Sequence, residues 1–130
     1  MAIYCGVDIV EIQRIKQSFD KIGQSFRDKV FTQNEIDYCE SRKVGRYQSY
    51  AARFAAKEAV SKAFGTGIGN GVKWKDIEVL RDESGKPYIV LSCRAKEVFE
   101  EMKAIEISLS LSHCDNYAVA YAVIEVRRNS

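Results

Sequence analysis

The chain has 130 residues, enough for one domain with a core of its own but near the small end. An apolar fraction of 46% and a charged fraction of 29% exclude a fibrous, disordered or membrane-embedded composition. A net charge of only +2 argues against a dedicated nucleic-acid binder, whose phosphate contacts leave a strongly basic domain.

No apolar run approaches membrane-spanning length, and no basic segment followed by an apolar one opens the chain. Neither a transmembrane helix nor a signal peptide is expected, and a cytoplasmic location is. Cys5, Cys39, Cys93 and Cys114 are scattered with no C-x-x-C, and one histidine is too few for a structural zinc cluster. Reduced thiols are expected, with Cys5 and Cys39 as small core residues in apolar patterns.

In chain order, Ile3 to Val10 alternates as a strand, with Ile3, Cys5, Val7 and Ile9 on one face and Tyr4, Gly6, Asp8 and Val10 on the other. A carboxylate in an apolar strand needs a partner, and Asp8 could cap the next helix, meet a cation or hold a metal. That helix carries Ile12, Ile15, Phe19 and Ile22 at helical spacing. Thr32 and Glu35 form a capping box, with Phe31 and Ile36 as its hydrophobic staple, predicting a helix to about Arg42.

A longer helix is predicted from about Gln48 to Phe64. Ala52, Ala56, Val60 and Ala63 share one face, Glu58, Ser61 and Lys62 fall opposite, and Lys57 stands to one side. A solvated Glu58–Lys62 pair at i, i+4 is the plainest explanation of the charged stripe. The glycine-rich run Gly65 to Gly71 follows this helix and lacks a Gly-Lys-Ser/Thr ending, so it is not a P-loop. A C-cap with a loop explains it as well as a substrate contact does.

Ile77 to Arg81 and Tyr88 to Leu91 read as strands joined by the turn Asp82 to Pro87. Ser92 heads a helix with Ala95, Val98, Phe99 and Met102 inward. Ile105, Ile107, Leu109 and Leu111 then alternate with polar residues, and His113 ends that strand in phase with them. Tyr117 to Val126 is apolar on both faces, as a central or interface strand would be. The whole of 1–130 is expected to be one α+β domain, its antiparallel-rich sheet packed on a long central helix and shorter helices.

Asp8 and Glu58 are the carboxylates whose positions composition does not explain. Two monodentate carboxylates suit magnesium, which takes its remaining ligands from water and substrate phosphates. Lys57 and Lys62 flank Glu58 and could hold those phosphates as point charges, the equipment of phosphoryl transfer.

Three segments then carry a likeness. GVDIVEIQRI (Gly6 to Ile15), RFAAKEAVSKAFGTGIG (Arg53 to Gly69) and SLSHCDNYAVA (Ser110 to Ala120) resemble the ordered motifs of the holo-acyl-carrier-protein synthases, the small bacterial 4′-phosphopantetheinyl transferases. The resemblance implies transfer of the phosphopantetheine arm of coenzyme A to a serine of apo-acyl carrier protein, releasing adenosine 3′,5′-bisphosphate. It implies Asp8 and Glu58 as magnesium ligands, and Arg53, Lys57, Ser61, Lys62 and Gly65 along the coenzyme. Gly85, Lys86 and Pro87 would lie near adenine, and His113 near the 3′-phosphate or the reacting centre.

A metal-bound water, Glu58 through water, or His113 could take the serine proton. Carrier proteins of this kind are acidic, and Arg14 and Lys21 on the first helix would meet them. The family is also known for a homotrimer with sites between subunits. The other reading is a non-catalytic nucleotide- or carrier-protein-binding module on the same scaffold. Loss of Asp8, Glu58 or Lys62 would have pointed there, and all three are present.

Overall fold

A 19-residue helix, α4 (Arg46–Phe64), lies across one face of a three-stranded antiparallel sheet in the computed structural model, which describes residues 1–127. The sheet order is β1 (Ala2–Glu11), β5 (Tyr117–Val126), β4 (Ala104–His113), so the doubly apolar last strand is central. A separate hairpin pairs β2 (Ile77–Arg81) with β3 (Pro87–Leu91). The remaining helices are α1 (Ile12–Ile22), α2 (Gln24–Val30), α3 (Gln33–Ser41) and α5 (Cys93–Glu101). The architecture is α+β, as the sequence pattern implies.

Small residues set the distance between α4 and the sheet. Ala55, Ala56, Ala59 and Ala63 of α4 are buried against Ala120, Ala122 and Ile124 of β5. Gly6 completes the seam, because a Cβ there would stand 1.9 Å from the Ala59 carbonyl oxygen. β1 and α4 therefore touch backbone to backbone at the level of Asp8. No larger residue fits.

A second core layer is aromatic. Phe19 of α1 lies 4.6 Å, centroid to centroid, from Tyr50, and Phe31 lies 4.8 Å from the same ring. Complete burial of Phe31 contributes about 2 kcal/mol of transfer free energy. The capping box at Thr32 forms as expected: Glu35 N–H donates to the Thr32 hydroxyl, and Thr32 N–H to the Glu35 carboxylate. Gly23, at φ +77°, separates α1 from α2, a helix that the sequence pattern did not reveal.

Three expectations change. Helix α4 is not amphipathic about one alanine face. Arg53, Lys57 and Ser61 are buried with the alanines, leaving Glu58 half-buried and Lys62 exposed. Cys5 is exposed, because β1 turns Gly6 and Asp8 toward α4 and its Ile3–Ile9 face away. Asp8 caps nothing: Glu11 is the N-cap of α1 and makes no side-chain capping bond.

Candidate active site

Asp8 reaches α4 because it shares the inward face of β1 with Gly6, across the narrow alanine seam. Lys62, in the last turn of α4, donates to Asp8 Oδ1 at 2.9 Å and to the Val7 carbonyl at 3.1 Å. Glu58, one turn earlier, does not take Lys62 as its hydrogen-bond partner. Burial, and then the like charge of Asp8, hold the Glu58 carboxyl above its ordinary value, with Lys62 opposing them. Two carboxylates and one ammonium thus meet at one place.

This cluster opens into a cavity of about 390 Å³ between β1, α1 and α4. Arg14, Ser18 and Lys21 line it from α1, at the i, i+4, i+7 spacing of one helix face. Phe26 and Phe54 supply an apolar floor. The sequence separates these groups by up to 54 positions; the Gly6–Ala59 contact is what brings them together.

Arg53, Pro87 and His113 belong to another cavity, of about 320 Å³, which shares no lining residue with the first. Here Tyr38 is the centre. The Arg53, Arg81 and Arg42 guanidinium carbons lie 4.2, 5.4 and 6.0 Å from its ring centroid. Arg53 is only 3% exposed, and its Nε has no hydrogen-bond partner. A buried cation with an unused donor, among like charges, suits an anionic ligand. Tyr38, Arg42 and Arg81 escaped the sequence reading, since only the Tyr38/Arg42 i, i+4 spacing joins any of them.

The turn before Pro87 supports this second cavity from outside. Gly85, at φ +89°, closes the turn with its N–H on the Asp82 carbonyl, and its own carbonyl accepts from Arg81 Nε at 2.8 Å. Lys86 stands exposed on the same turn. Gly65 is the left-handed C-cap of α4, its N–H on the Lys62 carbonyl, with open space where a Cβ would be.

Lys57 and Ser61 line neither of these two cavities. Lys57 is fully buried and its three donors go to Glu35, the Trp74 carbonyl and the Ile77 carbonyl. Ser61 is also fully buried, its hydroxyl donating to the Glu58 carbonyl. Both residues follow the helical phase of Arg53 into the interior, which a single-faced helical wheel hides.

Among the described residues no three of His, Cys, Asp and Glu gather into a protein-only metal cage. The donors of the first cavity nonetheless fit magnesium. They are hard carboxylate oxygens, and their mutual repulsion, visible at Glu58, is not offset by Lys62 alone.

Residues 4–122 match the family model described as the 4′-phosphopantetheinyl transferase superfamily. The holo-[acyl-carrier-protein] synthase of Ruminiclostridium cellulolyticum is 60% identical over 97% of this chain and 94% of its own length. Among solved structures, the Helicobacter pylori holo-[acyl-carrier-protein] synthase in complex with coenzyme A superposes with a TM-score of 0.82. It is 32% identical and the match covers 93% of this chain and 99% of that one. The Bacillus anthracis holo-(acyl-carrier-protein) synthase in complex with CoA (3′,5′-ADP) gives a TM-score of 0.80 at 38% identity, covering 97% and 100%. The chain belongs to the 4′-phosphopantetheinyl transferase superfamily, within its holo-[acyl-carrier-protein] synthase family.

Proposed function

We propose that this chain transfers the 4′-phosphopantetheine group from coenzyme A to a serine hydroxyl of apo-acyl carrier protein, releasing adenosine 3′,5′-bisphosphate. The observation that carries the reading is the meeting of Asp8, Glu58 and Lys62 at the mouth of a cavity walled by Arg14 and Lys21. Asp8 and Glu58 would hold Mg²⁺, which would supply charge neutralisation at the pyrophosphate. Lys62 sets a further positive charge beside that group. Arg14 and Lys21 steer an acidic carrier protein toward it, while Phe26 and Phe54 accept apolar side chains.

The second cavity takes the nucleotide end of coenzyme A. Arg53, Arg42 and Arg81 face its phosphate charge, His113 lies beside them, and Pro87, with the Gly85–Lys86 turn behind it, borders the base. Glu58, a carboxylate that lines the first cavity, would take the serine proton through a water. That leaves His113 a role at the nucleotide.

The reading includes one domain over 1–130, and a homotrimer with sites between copies. Ile3, Val7 and Ile9 of β1 are 64, 52 and 64% exposed and lie beside the half-exposed Tyr121 of β5, an apolar face fit to be covered. No helix of the described residues is long and apolar enough to cross a membrane. Four free thiols suit a reducing, cytoplasmic compartment.

One incubation tests the activity. The protein, coenzyme A, Mg²⁺ and apo-acyl carrier protein are mixed, and the carrier is weighed by mass spectrometry. A phosphopantetheine mass gain that chelator removes is the expected result. Coenzyme A binding without mass gain under any divalent metal would leave only a binding module.

A further inference from the structure

We infer that the buried Glu35–Lys57 ion pair is a positioning brace for the arginine cavity, setting how tightly the nucleotide end of the substrate is held. The inference rests on the reading of that cavity as the nucleotide site. Both side chains are fully buried, with Lys57 Nζ 2.8 Å from Glu35 Oε1. The other two Lys57 protons go to the Ile77 carbonyl at 2.7 Å and the Trp74 carbonyl at 3.2 Å. Glu35 in turn accepts from Thr32 N–H at 2.9 Å and from Val79 N–H at 2.8 Å. One pair of charges therefore ties together α3, α4, β2 and the turn that leads into β2.

Those elements build the arginine cavity one step further along. Tyr38 follows Glu35 by three residues on α3, and Arg53 precedes Lys57 by four on α4, so each shares its partner's helix face. Arg81 follows Val79 by two on β2, which puts both on one side of the strand. The brace thus stands about one helical turn along α3 and α4 from Tyr38 and Arg53, and two residues along β2 from Arg81.

The need for a brace is electrostatic. Among the described residues, Arg42, Arg53 and Arg81 have no carboxylate within ion-pair distance, so the cluster repels itself until an anion arrives. A frame that holds such groups in place before binding removes the ordering cost from the binding step. An apolar pair of similar volume would fill the same space. A buried ion pair is seldom more stabilising than such a replacement, and what it adds is direction, since each of its hydrogen bonds works at one geometry.

The test is the double variant Glu35→Leu/Lys57→Met, which removes both charges and leaves neither unpaired. Glu35→Gln/Lys57→Met serves as the second variant, keeping an acceptor for Val79 N–H. Circular dichroism and Tm report the fold. Calorimetry reads the affinity for adenosine 3′,5′-bisphosphate, and steady-state kinetics read KM and kcat with coenzyme A. Folded double variants are expected to bind the bisphosphate at least about tenfold more weakly and to raise KM alike, with kcat unchanged. Arg53→Gln is the control for the cavity itself. If Arg53→Gln weakens bisphosphate binding and a folded double variant does not, the brace is overturned and the cavity reading stands. Unchanged binding in Arg53→Gln overturns the cavity reading and the brace with it. If both double variants fail to fold, the pair is a folding element and the inference falls.

Discussion

Lys62 sets its ammonium nitrogen 2.9 Å from Asp8 Oδ1, joining residues that are 54 positions apart in the chain. The lysine bridges α4 to β1 instead of pairing along its own helix with Glu58. Its side chain is 49% exposed and that of Asp8 17%, so solvent screens the pair and its share of stability is about 0–1 kcal/mol. The arrangement matters for charge at the cavity mouth more than for the fold.

Removing that charge should therefore cost turnover and spare stability. Asp8→Ala, Glu58→Ala and Lys62→Met are each expected to lower kcat/KM by about 10²- to 10³-fold, as loss of one preorganised electrostatic group does elsewhere. Mass spectrometry of the carrier protein measures turnover, and thermal melts measure the fold. Asp8→Ala protein that is unfolded would instead assign Asp8 a structural role in β1.

Glu58 gives a prediction in pH. Its carboxyl is raised first by burial and second by Asp8, so the folded protein binds its proton more tightly than the unfolded chain does. The stability this contributes is complete below the unfolded carboxylate value and is lost as pH rises through the folded one. Glu58→Gln, which cannot ionise, should then gain stability relative to the parent as pH climbs across that window. Asp8→Asn should move the window down without removing it, because burial is the larger cause. Urea titrations from about pH 4 to about pH 7, across the carboxylate range and above it, measure both; curves for parent and Glu58→Gln that stay parallel would contradict the shift.

What the sequence made legible was local, and what it hid was not. The capping box at Thr32, the hairpin turn at Asp82 to Pro87 and the central β5 are written in neighbouring residues, and each stands as expected. Asp8 was visible because a carboxylate in an apolar strand demands a partner, and Glu58 because it is a lone carboxylate among hydroxyl and ammonium groups on the long helix. Lys57 misled because its partner, Glu35, sits 22 residues upstream on another helix. The cluster around Tyr38 draws on α3, α4 and β2, and no linear spacing encodes their meeting. Cys5 looked like core because its strand face is as apolar as a core face. Apolar alternation says a face is covered, without saying by what.

Gly6 offers a test of how finely the site is spaced. Its added Cβ would meet the Ala59 backbone oxygen at 1.9 Å, and a backbone atom cannot rotate away as a side chain can. Gly6→Ala is expected to lose about 3 kcal/mol of stability by forcing β1 and α4 apart. The same displacement parts Asp8 from Glu58 and Lys62, so turnover per folded molecule should fall as well. Denaturant melts and kinetics on the folded fraction separate the effects. Full turnover in folded Gly6→Ala protein would show that the seam does not set the carboxylate spacing.

The outward face of β1 and β5 gives the last prediction. Val7 is paired with Tyr121, and Ile9 with Val119, across the β1–β5 ladder, and Val7 and Ile9 are more than half exposed. Side chains of this kind gain about 1.5–3 kcal/mol each on full burial, so a matching face from another copy would be strongly favoured. The protein is expected to run in solution near three times its 14.7 kDa chain mass by light scattering. Val7→Glu, at a position that lines neither cavity, would place a carboxylate in that contact and should return the chain to monomer, since burying an unpaired charge costs more than the apolar contact supplies. Turnover should fall with the loss of assembly although every residue of both cavities is intact, because a site shared between copies is incomplete on one. A parent protein that is monomeric at micromolar concentration and fully active would remove the trimer from the reading and leave the catalytic cluster to one chain.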